Sequence, residues 1–90
     1  MKYIVLNSIF HMDDRETDIY NLGVVDDPNE ATELMLTDYK DTLEKFLYTE
    51  EETETKITIE KEIGNISATE AEFEYNSEEY YKWQILSLNN

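Results

Sequence analysis

The spacing of apolar positions changes period along the ninety residues, and each change marks an expected element. From Lys2 to Met12 β-branched and aromatic residues are dense enough to form a first strand, and Tyr3 to Leu6 is apolar on both faces, as in a central strand. Ile4, Leu6, Phe10 and Met12 share one face, and Tyr3, Val5, Ile9 and His11 the other. A polar turn over Asp13–Thr17 leads to a second strand from Asp18 to Val25, in which Gly23 marks a bulge or a close backbone approach. These two strands should form a hairpin.

From Asp27 to Tyr48 the period becomes that of an amphipathic helix. Asp27 is placed to accept a first-turn N–H, Pro28 sits where its missing N–H costs nothing, and Glu30 has capping-box spacing. Ala31, Met35, Tyr39, Leu43 and Phe46 fall on one side, widened by Leu36 and Leu47. Glu30, Glu33, Thr37, Lys40, Asp41 and Glu44 fall opposite, with Leu34 among them.

Thr49–Thr53 reads as an acidic connector, since glutamates are unfavourable just past a helix C-terminus. Beyond it Ile57, Ile59 and Ile63 alternate with Glu54, Lys56, Thr58, Glu60 and Glu62, the pattern of a half-buried third strand. Gly64-Asn65 then suggests a hairpin turn, and parity requires an odd loop there to keep buried faces together. Ala71, Phe73 and Tyr75 mark a fourth strand, Asn76–Glu79 a turn, and Tyr80–Leu88 a fifth. A five-residue connection would pair Tyr75 with Tyr81, Phe73 with Trp83 and Ala71 with Ile85, each pair contributing about 0.2–1 kcal/mol beyond alanine. The predicted fold is α+β: an antiparallel sheet of about five strands with one helix packed on one face, order ββαβββ, in a single domain over residues 1–90. One helix cannot cover such a sheet. Apolar surface around Tyr3, Val5 and Ile9 is expected to be closed by a partner chain, and a homodimer would do so.

Composition bounds the function. Twenty-two acidic residues against seven basic ones give a net charge of -15, with a pI near 4.1. Leu, Ile, Val and Phe form about a quarter of the chain, above the roughly 20% below which a charged chain is suspected of disorder. There is no cysteine, which removes disulfides, thiolate metal sites and cysteine nucleophiles. The opening apolar run is too short and too interrupted for a secretory signal, and no run approaches a membrane span. The sequon Asn65-Ile66-Ser67 therefore carries no weight. A cytoplasmic protein is expected. Direct binding to nucleic acid or to a membrane of anionic lipid would oppose like charge.

No stretch carries a catalytic, metal or nucleotide signature, and no cofactor or catalytic residue is assigned. His11 is the sole histidine and lacks the companions that relay or zinc chemistry requires. Asp14, Glu16 and Asp18 open with calcium-loop spacing, but Ile19 and Val25 stand where a glycine and a glutamate are needed, which leaves at most weak cation binding. The informative feature is the expected carboxylate face. Glu54, Glu60 and Glu62 on the third strand would lie beside Glu70, Glu72 and Glu74 on the fourth, about 6.8 Å apart along a strand and about 4.8 Å between strands. These six residues are the candidate partner-binding site of a non-enzymatic interaction module for a basic protein surface. The alternative is a DNA-mimic inhibitor of a DNA-binding protein or nuclease, of the phage or plasmid type, because the array resembles a double row of phosphates in charge density.

Overall fold

The computed structural model describes residues 1–46, 48–75 and 77–88. In chain order it contains strands β1 (Lys2–His11) and β2 (Glu16–Val25), helices α1 (Pro28–Lys45) and α2 (Glu50–Glu62), and strands β3 (Glu70–Tyr75) and β4 (Glu79–Leu88). The class is α+β with an antiparallel sheet, but with four strands and two helices, order ββααββ, in place of five strands and one helix. The sheet order is β2-β1-β4-β3, which puts the doubly apolar β1 inside and leaves β2 and β3 as edges.

β1 and β2 form the expected hairpin, closing at His11 and Glu16 with Arg15 in the left-handed region at φ 59°. The register shifts between Val5 and Leu6, and the bulge falls at Leu22 and Gly23. Gly23 has φ 153°, and a Cβ there would lie 3.0 Å from Leu34 Cδ2. Leu34, the apolar residue on the polar side of its helix, thus fills the space that glycine leaves on β2.

α1 begins as its sequence predicts. Asp27 accepts a hydrogen bond from Asn29 N–H at 2.8 Å, and Pro28 follows at the first helical position. Ala31, Met35, Tyr39, Thr42 and Leu43 are buried against the sheet. The helix ends at Lys45, short of Tyr48, and Phe46 turns out to stack on Tyr75 at 4.1 Å between ring centroids. The stripe position Leu47 lies outside the described residues, as does Asn76 in the last turn. Tyr39 and Trp83, both fully buried, meet edge to face at 5.0 Å, and the Trp83 indole N–H donates to Asp38 Oδ2 at 2.8 Å. Burial keeps the Tyr39 phenol protonated, raising its pKa.

The third strand expected over Thr53–Ile63 is helix α2, and the reason is local. Thr49 and Glu52 form a capping box, with Glu52 N–H donating to Thr49 Oγ1 and Thr49 N–H to Glu52 Oε1, each at 3.1 Å. The capping box thus falls here and not at Glu30. The glutamates that are unfavourable behind α1 occupy the first turn of α2, where the helix dipole favours them. Lys56 donates to Glu60 at 3.3 Å across one turn. Thr53 and Ile57, four apart, are the buried pair, whereas Ile59 and Ile63 are 50% and 64% exposed. The apparent alternation of isoleucines therefore does not follow burial.

Gly64-Asn65 is correspondingly a helix terminus and not a hairpin turn. Gly64 has φ 88°; its N–H donates to Lys61 O at 3.3 Å and that of Asn65 to Glu60 O at 2.9 Å, the two bonds of a Schellman motif. β3 and β4 pair two residues away from the expected register. Phe73 is opposite Tyr81, Ala71 opposite Trp83 and Tyr75 opposite Glu79, because the connection is three residues long instead of five. The shift of two preserves facing, so the aromatic side chains still enter one core.

Candidate functional site

The register determines which side of the sheet the helices cover. Val5 and Asn7 on β1, and Tyr81 and Trp83 on β4, are buried beneath α1, with Tyr3, Ile9 and Ile85 packed against the same core. Tyr3, Val5 and Ile9 are thus covered, contrary to the expectation that a partner closes them. The uncovered residues are their neighbours. Ile4 lies between Val24 and Leu86, Leu6 between Asn21 and Gln84, Ser8 between Ile19 and Lys82, and Phe10 between Thr17 and Tyr80. Ile19 is 65% exposed, Val24 and Leu86 46% each and Leu88 39%. On β1 the even-numbered positions share one face as the alternation predicts, whereas on β2 the bulge changes parity, so that the open face carries Val24 and then Asn21 and Ile19 instead of Tyr20 and Leu22.

β3 borders the open face with carboxylates. Glu70 is opposite Gln84, Glu72 opposite Lys82 and Glu74 opposite Tyr80, so all three glutamates share the side of Ile4, Phe10 and Leu86. Burial and a hydrogen bond to Glu72 push the Tyr80 phenol up to about 12. Along β1 and β4 the open face carries Ile4, Leu6, Phe10, Leu86 and Leu88 interspersed with Ser8, Lys82 and Gln84, and β3 gives it an acidic margin.

The six candidate carboxylates are not the two-strand array expected from the sequence. Glu70, Glu72 and Glu74 remain together on β3, whereas Glu54, Glu60 and Glu62 are on α2. Glu54 accepts from Lys40 on α1 at 2.9 Å. Glu60 accepts from Lys56 at 3.3 Å and from Asn65 at 2.7 Å, and with Glu72 and Glu74 it lines a cleft of about 270 Å³ around the β3 edge. Lys56 lies in this cleft, 5.5 Å from the centre of the Phe73 ring. Glu62 is exposed at the end of α2. The helix thus brings one of its three glutamates to the β3 ladder and directs a second to α1.

His11 joins three strands. Its Nε2 lies 2.9 Å from Asp18 Oδ2 on β2 and its Nδ1 3.6 Å from Glu79 Oε2 on β4. The bond to Asp18 raises the His11 pKa above 6.5. Asp14 Oδ1 accepts from Glu16 N–H at 3.0 Å and Asp18 Oδ2 is bonded to His11, so two of the three carboxylates with calcium-loop spacing are committed to the turn and to His11. Among the described residues no group of three carboxylate or histidine side chains has a geometry that could hold a metal ion. A second cleft, about 440 Å³, opens between α1 and the β1–β2 hairpin, with Asp38 and Lys45 as its charged groups. Asp38 already accepts the Trp83 indole N–H. Among the described residues no helix is long and apolar enough to cross a membrane.

The fold and site define a small acidic α+β protein whose antiparallel sheet is covered by helix on one face and open, with an acidic margin, on the other. No protein-family model, curated protein or solved structure matches the chain.

Proposed function

We propose that this protein is a non-enzymatic interaction module that binds a basic surface of a partner protein. The observation that carries this reading is the β3 ladder of Glu70, Glu72 and Glu74 beside an uncovered sheet face with exposed apolar side chains, in a chain of net charge -15. An open sheet face with exposed Ile19, Val24 and Leu86 has apolar area to remove from water, and association is the way to remove it. The negative field steers cationic partners toward the protein and repels anionic ones.

The test is capture of a basic protein at low salt, with release between about 50 and 500 mM salt as exposed charges are screened. Replacing Glu70, Glu72 and Glu74 by Gln should abolish capture without altering the circular dichroism spectrum. Capture that is indifferent to both salt and these substitutions overturns the reading. Competition of the captured protein's complex by DNA would identify the DNA-mimic form of the same activity. The two-strand carboxylate array that suggested mimicry is absent, because Glu54, Glu60 and Glu62 stand on α2.

A further inference from the structure

The open face is specific enough to indicate what shape of partner it takes, an inference that rests on the interaction reading above. We propose that it seats a cationic amphipathic helix of a partner protein. The apolar stripe of that helix would lie on Ile4, Phe10 and Leu86, and its Lys or Arg side chains would reach Glu70, Glu72 and Glu74.

Three considerations lead to a helix of this chemistry. The first is width. Strands lie about 4.8 Å apart, so β3 is about 7 Å to the side of a line running between β1 and β4. A helix of about 10–12 Å diameter laid along that line rests its centre on β1 and β4, touching apolar side chains at both ends, Phe10 at one and Ile4 with Leu86 at the other, with Ser8 and Lys82 between them, and holds its flank above β3. The second is pitch. Basic side chains four residues apart on such a flank are separated by about 6 Å, and glutamates two apart on β3 by about 6.8 Å, so successive cations meet successive carboxylates. The third is charge. The glutamate margin and the net charge of -15 oppose nucleic acid and anionic lipid.

A second copy of the chain fits poorly, for a geometric reason. A two-fold axis lying between the faces and parallel to the strands sets β3 of one copy over β2 of the other, placing Glu70, Glu72 and Glu74 against Ile19 and Val24. An axis across the strands sets β3 on β3, carboxylate against carboxylate. Both arrangements desolvate charge without a partner, which costs several kcal/mol per ion.

The probe is a designed peptide with a leucine stripe and lysines on its flanks, titrated at low salt into the isotope-labelled protein. Amide shifts are expected in β1, β4 and β3. Leu86→Ser with Leu88→Ser, both positions being exposed, should leave the fold intact and weaken binding by about tenfold. A peptide of equal charge with serine in place of leucine should lose a similar factor. Glu70, Glu72 and Glu74 changed together to Gln should weaken binding and flatten its salt dependence. Shifts confined to the exposed side of α1, around Glu33, Asp41 and Glu44, overturn this surface while leaving the interaction reading in place. Binding indifferent to the leucines does the same. A dimer in sedimentation velocity that buries the open face and excludes the peptide replaces the proposed occupant with a second copy. Absence of peptide binding at low salt overturns the helix-seating surface, and absence of any captured basic protein as well overturns the interaction reading with it.

Discussion

The hydrogen bond from Trp83 to Asp38 is the contact across the helix–sheet interface whose removal can be predicted most closely. Trp83 is fully buried, and its indole N–H donates to Asp38 Oδ2 at 2.8 Å from the middle of α1. Asp38→Ala leaves that donor without its acceptor, which costs about 1–3 kcal/mol for a buried group. Asp38 lines the cleft beside the β1–β2 hairpin, so water can reach the vacated position and draws the cost toward about 2 kcal/mol. Alanine also improves helix propensity by about 0.5 kcal/mol, and loss of a carboxylate relieves repulsion in a chain this acidic. Asp41→Ala, on the exposed side of the same helix, shares both gains without breaking the bond. The difference between the two variants therefore isolates the indole contact. For ninety residues each kcal/mol moves Tm by roughly 5 °C, so Asp38→Ala should melt about 10 °C below Asp41→Ala. Asp38→Asn keeps an acceptor and should recover about half of the loss. Urea titration followed by fluorescence of the single tryptophan, with circular dichroism as a second probe, measures all three. Agreement of the two alanine variants within about 0.5 kcal/mol would refute the assignment of stability to this bond.

Three other consequences are open to measurement. Thr49→Ala removes the capping box of α2 and should cost about 1 kcal/mol; because the Thr49 backbone and side-chain bonds lower the Glu52 pKa, that carboxyl's contribution is present above its unfolded pKa and lost as pH falls through the folded one, which a carboxyl-resolved NMR titration will follow. Gly64→Ala puts a Cβ where nothing lies within 4 Å, so its cost of about 1–2 kcal/mol comes from the positive φ alone, and Gly64→Asn should cost less in the same denaturation assay. The raised pKa of His11 means that its contribution is complete below the unfolded value near 6.5 and is lost as pH rises through the folded pKa; the denaturation midpoint of His11→Gln should lose that pH dependence, and an NMR-measured pKa at or below 6.5 contradicts the Asp18 contact.

The elements that sequence alone determined are those whose local and long-range signals agree. Asp27-Pro28 starts a helix wherever it is followed by a 3.6-residue apolar stripe, and Ala31, Met35, Tyr39 and Leu43 are buried on that stripe. The doubly apolar start of β1 suits an inner strand, and the sheet order places it between β2 and β4, although the helices cover only one of its faces. The segment from Thr49 to Glu62 carried two signals in conflict. Isoleucines at alternate positions point to a strand, and a threonine cap, acidic first turn and terminal glycine point to a helix. The cap bonds and the burial of Thr53 and Ile57, one turn apart, decide between them, and the alternation fails because Ile59 and Ile63 remain in solvent. That single decision dismantled the expected two-strand carboxylate array, since only Glu70, Glu72 and Glu74 keep strand spacing.

What the sequence determined by itself is the acidic charge, the amphipathic α1 and the alternation that separates Tyr3, Val5 and Ile9 from Ile4, Leu6 and Phe10. Periodicity divides a strand into two faces but contains nothing that labels them inner and outer. The tertiary structure decided which set is covered, because α1 lies across one side of the sheet while α2 reaches that core through side chains such as Ile57. It thereby left Ile4, Leu86 and the three glutamates of β3 together on the open side.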